Sequence, residues 1–286
     1  MTRKPSPFGS LQFVGAAVGI RIPQLALEVI CDDHGQFRDS INLVTYIFNF
    51  GHKMNKATVM TMLKDSTFDL SKADESGQTL LHKALIHNNE GVGQLLLELC
   101  IGVNATDNDG RTALYYAADN QDAKRVRMLL AAGSTPHADE LKNSPLLACL
   151  FGESSFISQS WTPADEVLTA MRDIVHQLIQ HGVDPNQFFK QRAIIHELLS
   201  NQALSNSVYA VEILLDRGAD PNLKDAAGMA PLHYAAPNGD IRTVSCLLFG
   251  GANLNMKNKQ GSTAVQLAEQ HGLSLVWICF LERKPG

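Results

Sequence analysis

The chain reads as an all-α solenoid of stacked helix-turn-helix pairs joined by β-hairpin-like loops. Three observations carry that expectation. A short motif recurs with a 33-residue spacing, from Gly77 to Gly110 and again from Gly228 to Gly261. Each copy is followed by an apolar stretch closed by a glycine or a substitute and then a short turn; glycine suits that place because it tolerates the left-handed backbone that ends a helix. Alanines stand where helices must approach closely, at Ala84, Ala117, Ala118, Ala235, Ala236 and Ala268. A unit of this length cannot bury its apolar face alone, and stacking gives neighbours one continuous core.

Taken in order, residues 1–73 lack the motif but keep a helical rhythm. Ile41, Val44, Ile47 and Phe48 recur at helical spacing in SINLVTYIFNF, and Val59, Met60, Met62 and Leu63 do so in NKATVMTMLKD. Upstream, SLQFVGAAVGI and PQLALEVICDD form another candidate pair. We read 1–73 as degenerate helical pairs capping the stack, since an end unit exposes a face to water; a small unrelated helical domain is the alternative.

Residues 74–286 hold the clear units. DESGQTLLHKAL from Asp74 and DNDGRTALYYAA from Asp107 align position by position, as do DAAGMAPLHYAA from Asp225 and NKQGSTAVQLAE from Asn258. Two weaker copies, NSPLLACL from Asn143 and RAIIHELL from Arg192, have Lys142 and Gln191 where the turn glycine belongs, so irregular tips are expected there. The closing stretches are LLLELCIGVNA, RMLLAAGSTP, HQLIQHGVDPN, EILLDRGADPN and SCLLFGGANLN. Near the C-terminus Trp277, Phe280 and Leu281 follow helical spacing and read as core.

The rhythm is interrupted in the third unit. From Thr112 the motif returns after 32 residues at Ser144, after 49 at Ala193 and after 37 at Ala230, which places an insertion at about 152–165. Part of it is helix: Thr162 is a cap, Pro163 suits a first helical position, and Asp165 suits the helix dipole. The second helix of this unit should run from about Pro163 to Gln180, longer than its neighbours. In the remaining loop Phe156, Ile157 and Trp161 either fold down over that helix or project as an aromatic anchor.

Motif, period and helix ends together resemble the ankyrin-repeat family, whose unit of about 33 residues carries a T-P-L-H-x-A core. The resemblance covers six units, about residues 74–281. It implies a non-catalytic scaffold that grips a partner protein along its concave side, by hairpin tips and exposed first-helix positions. In this chain those positions include Ile86, His87, Asn108, Asp109, Arg111, Leu141, Phe151, Phe189 and Arg192, to which Phe156 and Trp161 of the insert are added. Ile86, Leu141, Phe151 and Phe189 stand out because water-facing slots should be polar. The resemblance also implies that His82, His196 and His233, which share one slot, tie turn backbone together and bind no metal. Tyr115, taken to stand one residue from that slot, reads as packing. Asn104, Asn186, Asn222 and Asn255 recur at unit ends and look like backbone-binding loop residues.

Composition narrows the function further. A net charge of −5 argues against nucleic acid as the main partner. The five cysteines are scattered, without a CxxC pair, so a reducing, cytoplasmic setting is expected. Cys149 falls on an alanine core slot and Cys246 on a second helix, so both read as small buried hydrophobes. No run of about 18 apolar residues occurs, and no membrane span is expected. His176 and His181 are five apart, missing the spacing that puts two ligands on one helix face. The expectation is a monomer that binds a protein partner, with no catalytic residue, cofactor or metal. Two rivals stay open: a bacterial effector acting on a host protein in the host cytoplasm, and an enzyme with a hidden Cys/His site near Cys149.

Overall fold

The structure, a computed structural model, describes residues 71, 73–86, 93–94, 96–97, 102–138, 140–151, 164–200 and 207–272. Among them run ten α-helices: α1 (Leu80–Ile86), α2 (Ala113–Asp119), α3 (Ala123–Ala131), α4 (Pro145–Phe151), α5 (Ala164–Gln180), α6 (Ile194–Ser200), α7 (Ser207–Asp216), α8 (Pro231–Ala235), α9 (Ile241–Phe249) and α10 (Ala264–Gln270). One antiparallel hairpin, β1 (Phe188–Phe189) and β2 (Arg192–Ala193), pairs Phe188 with Ala193 and Phe189 with Arg192. The expectations for 1–70, for Phe156, Ile157, Trp161, Thr162 and Pro163, for His87, and for Trp277, Phe280 and Leu281 fall outside the described residues, as does the side chain of Leu141.

The described residues form two compact units: those up to Asn120 together with 128–135, and 121–127 together with those from 136 on. In the first, α1 packs on α2. In the second, the short first helices stack as α6 on α8 and α8 on α10, while the second helices stack as α5 on α7 and α7 on α9. All six alanines named above are at most 1 % exposed. Nothing longer than a methyl group fits such a contact without forcing the helices apart. Around them Leu81, Leu85 and Leu114 fill the core of the first unit, and Leu146, Ile174 and Leu178 that of the second.

Local chemistry sets the helix starts. Thr112 accepts the Tyr115 N–H at 3.3 Å. Thr263 and Gln266 exchange side-chain and backbone hydrogen bonds, and Asp240 accepts from the N–H groups of Arg242 and Thr243. Tyr115 lies three residues after Thr112, as His82 lies three after Thr79. It therefore fills the histidine slot itself, which corrects the one-residue offset expected for it.

The irregular tips are found where the turn glycine is missing. At the third tip Leu141–Asn143 wind into a single 3₁₀ turn. At the fourth, the β1–β2 hairpin turns through Lys190 at φ +60°. Helix α5 has 17 residues, against 9 in α3, 10 in α7 and 9 in α9.

Candidate partner-binding surface

The turns are built outward from one acid or amide each. Oδ1 of Asp74, Asp107, Asp225 and Asn258 accepts two backbone N–H groups, two and four residues further on, at 2.8–3.0 Å. The second oxygen of each aspartate meets a side chain nine residues on: Lys83 for Asp74, at 2.7 Å, and the hydroxyls of Tyr116 and Tyr234, each donating at 2.5 Å, for Asp107 and Asp225. Burial, and then the hydrogen bond given to the acid, push both tyrosines up to about 12. Burial alone would raise the Asp225 carboxyl, but the Tyr234 hydroxyl and the turn N–H groups outweigh it and hold it below its ordinary value.

The recurring histidines join neighbouring turns. Nδ1 of His82 accepts the Thr79 N–H at 3.1 Å, leaving Nε2–H to donate to the Arg111 carbonyl at 3.1 Å. His196 does the same between Ala193 and Leu223, and His233 between Ala230 and Ser262. Burial lowers the pKa of His82 and His196 and keeps both rings neutral, against the pull of their carbonyl partners. These rings are structural ties.

Asparagines make a second set of ties. Asn104, Asn186 and Asn222 each donate to the closing-glycine carbonyl of the next unit and accept an N–H two residues beyond it. Asn120 and Asn238 reach back to the carbonyls of Leu85 and Leu199. Successive tips also touch through backbone: Asn108 N–H donates to Ser76, Ala226 N–H to Gln191, and Lys259 N–H to Ala227, at 3.0–3.2 Å.

With those bonds subtracted, the candidate residues sort themselves. Asn108 is exposed, but its amide is committed to the Glu75 carbonyl at 2.8 Å. Asp109 projects into water, its carboxylate 3.9 Å from the half-buried Arg111, whose guanidinium lies 4.9 Å from the centre of the Tyr115 ring. Arg192 stacks at 5.4 Å over Tyr234 and sits 3.9 Å from both Asp225 and Glu197. Ile86, Phe151 and Phe189 are half-buried, each partly packed and partly available.

The exposed aromatic of the hairpin is the neighbour of Phe189. Phe188 is 43 % exposed. Successive strand residues face opposite sides, and nothing in the sequence says which of two adjacent phenylalanines turns outward. Tyr209, Ile241 and Phe249, on the second helices, are also exposed and carry no motif signal. Cys149 is fully buried, so no substrate can reach its thiol. Cys246 is only half-buried, a correction to the expected core position; burial, then Glu212 and Asp216, push its thiol up. Among the described residues no helix is long and apolar enough to cross a membrane.

Comparison with known families decides the identity of this scaffold. The model for ankyrin repeats in three copies matches residues 40–140, 167–256 and 199–281. The chain belongs to the ankyrin-repeat family. The mouse B-cell lymphoma 3 protein homolog is 28 % identical over 71 % of this chain and 43 % of its own length. The Arabidopsis thaliana E3 ubiquitin-protein ligase KEG is 23 % identical over 73 % of this chain but only 15 % of its own. The chain thus spans less than half of either relative. Bovine cyclin-dependent kinase 4 inhibitor B is 36 % identical over 35 % of this chain and 74 % of its own. Among solved structures, the Bcl-3 ankyrin repeat domain aligns with a TM-score of 0.63 at 21 % identity, covering 84 % of this chain and all of that one. The human ASB11 ankyrin repeat domain aligns at 0.61 and 20 % identity, covering 85 % and 98 %. These ankyrin folds share the stacked-pair architecture described above.

Proposed function

We propose that this ankyrin chain is a non-catalytic protein-binding module, working as a monomer in a reducing, cytoplasmic setting. One observation carries the reading. In each clear turn the central acid or amide and much of the backbone are used up internally, while side chains between them, such as Glu75, Asp109, Lys259 and Gln260, stand exposed. A rigid frame with free outward positions binds with little ordering cost. The names of related proteins support the same class of role, one being an inhibitor of a cyclin-dependent kinase.

We place recognition on the turn tips and adjoining first-helix positions, with Asp109, Arg111, Arg192 and the Phe188–Phe189 pair as contact residues and Ile86 and Phe151 beside them. The insert residues Phe156 and Trp161 remain a second binding element. A quantitative pull-down tests both, comparing wild type with Asp109→Lys/Phe188→Ser and with Phe156→Ala/Trp161→Ala, each checked for helicity. Loss of the captured protein in the first variant supports the tips. Loss only in the second moves binding to the insert, and capture of nothing by the wild type overturns the proposal.

A further inference from the structure

The tips of the second unit carry an unusual excess of one charge. Its turns, at 137–143, 186–192, 223–229 and 256–262, contain Lys142, Lys190, Arg192, Lys224, Lys257 and Lys259 against the acids Asp139, Glu140 and Asp225. This occurs in a chain whose net charge is −5. Two of the six are neutralised locally: Lys142 pairs with Glu140 at 3.3 Å, and Arg192 is flanked by Asp225 and Glu197. Lys190 is paired only loosely, its side chain being 86 % exposed and its ammonium 4.0 Å from Glu140, which Lys142 already holds more closely. Lys224, Lys257 and Lys259 are exposed as well. Asp184 and Asp220, at the base of the same loops, turn back to accept the N–H groups of Asn186 and Asn222.

These cations form a row. Ala226 N–H donates to the Gln191 carbonyl and Lys259 N–H to the Ala227 carbonyl, so three successive tips are joined through backbone. The Lys224 ammonium donates to the Lys257 carbonyl at 3.0 Å, and Lys190 approaches Glu140 of the tip before it. Like charges gathered on neighbouring tips repel one another, and a partner's acids relieve that repulsion. Phe188, exposed on the same hairpin as Lys190, adds an apolar contact.

We propose that this edge docks an acidic segment of a partner protein, with Lys190, Lys224, Lys257 and Lys259 meeting its carboxylates and Phe188 one of its apolar side chains. The proposal rests on the protein-binding reading and names the chemistry of the partner. Nucleic acid fits less well. Its charge density would meet the repulsion of a net-acidic chain, and the edge offers no series of stacked aromatics.

The test uses the full chain and fluorescence anisotropy with a short labelled peptide of Glu and Asp around one Leu. Saturable binding is expected, weakening several-fold as salt rises. Lys190→Glu/Lys257→Glu/Lys259→Glu should weaken it at least about ten-fold, and the milder Lys→Gln triple by an intermediate factor, with circular dichroism confirming the fold of both. Glu166→Lys, exposed on α5 and outside the turns, should change it less than about two-fold. Phe188→Ser should matter for the Leu-containing peptide and not for an all-acidic one. No saturable binding, wild-type affinity in either triple variant, or tighter binding of a single-stranded oligonucleotide of equal charge would overturn the proposal. If a protein captured by the wild-type chain is still held by the triple Glu variant, the module reading stands and this inference falls. If the wild type captures none, the module reading itself fails.

Discussion

The loop that starts at Asp107 and the loop that starts at Asp225 share their internal bonding and differ in what they show to water. In both, Oδ1 closes the turn on two N–H groups and Oδ2 takes a tyrosine hydroxyl at 2.5 Å. In both an arginine stacks near a tyrosine, though Arg111 comes from its own loop and Arg192 from the preceding one. By sequence, the first unit's turns at 72–78 and 105–111 carry Asp74, Glu75, Asp107 and Asp109 against Lys72 and Arg111, whereas the second unit's carry the lysine row. Positions facing in are held by hydrogen-bond geometry and repeat with the period. Positions facing out are released from it, and the net charge summed over the turns is opposite in the two units.

The largest effect should come from the turn glycines, where the two regions differ in crowding. Gly77 has φ +73°, and a Cβ there would lie 2.6 Å from Asn108 Oδ1 and 2.7 Å from Asn108 N. At Gly228, with φ +75°, the nearest atoms are Lys259 N at 3.0 Å and the flexible Lys259 Cγ at 3.1 Å. Gly77→Ala should cost about 3 kcal/mol and Gly228→Ala about 1–2 kcal/mol. Urea unfolding reads both, and equal losses would mean the tips are stacked alike after all.

Next come the histidine ties. His82→Leu leaves the Thr79 N–H and the Arg111 carbonyl without their partner and should cost about 2–3 kcal/mol. His82→Gln should cost roughly half as much, because the last unit already uses Gln266 to accept the N–H of Thr263. Both His82 and His196 have pKa values lowered from 6.5, so the folded state favours the neutral rings. Their contribution is complete above 6.5 and is lost as pH falls through the depressed folded values. A pH series of melting temperatures should therefore decline below that point, less steeply in His82→Gln.

A smaller effect, equal in the two loops, is expected from the tyrosines. Tyr116→Phe and Tyr234→Phe should each cost about 1 kcal/mol near neutral pH. Because the folded state raises each hydroxyl from 10.0 to about 12, this stabilisation is present below 10.0 and disappears as pH rises through about 12. Alkaline melting curves should flatten in each variant by the same amount. A difference between them would show that the placement of the arginine matters, Arg192 lying over Tyr234 itself and Arg111 over the neighbouring Tyr115.

What could be read in advance follows the same division. The helix pairs, the asparagine ladder and the long α5 could be read from the 33-residue period and from the helix-start residues of the sequence, and the histidine ties from the family resemblance. Phe188 could not be separated from Phe189, since a two-residue strand has no periodicity to fix its faces. Asn108, Asn120 and Asn238 look free in sequence because their acceptors lie in another unit, 33 to 39 residues away. The lysine row was hidden by a net charge that sums both regions. Cys246 shares its slot with buried residues of earlier helices, but its exposure depends on what packs beside α9, which a repeat alignment does not state.

The smallest effect should have the opposite sign. Lys190 adopts φ +60° at a tip without the turn glycine, a conformation disfavoured for any residue with a Cβ. Lys190→Gly relieves that cost but frees the unfolded chain, so the net gain should be about 0.5 kcal/mol. The same change removes one cation from the lysine row and should weaken binding of the acidic peptide about two-fold. Stability and affinity would then move apart at a single position. If Lys190 were there for the fold alone, glycine would be at least as good in both measurements. A strained lysine that binding needs and folding does not would show that the second unit's charge is a functional feature of its tips.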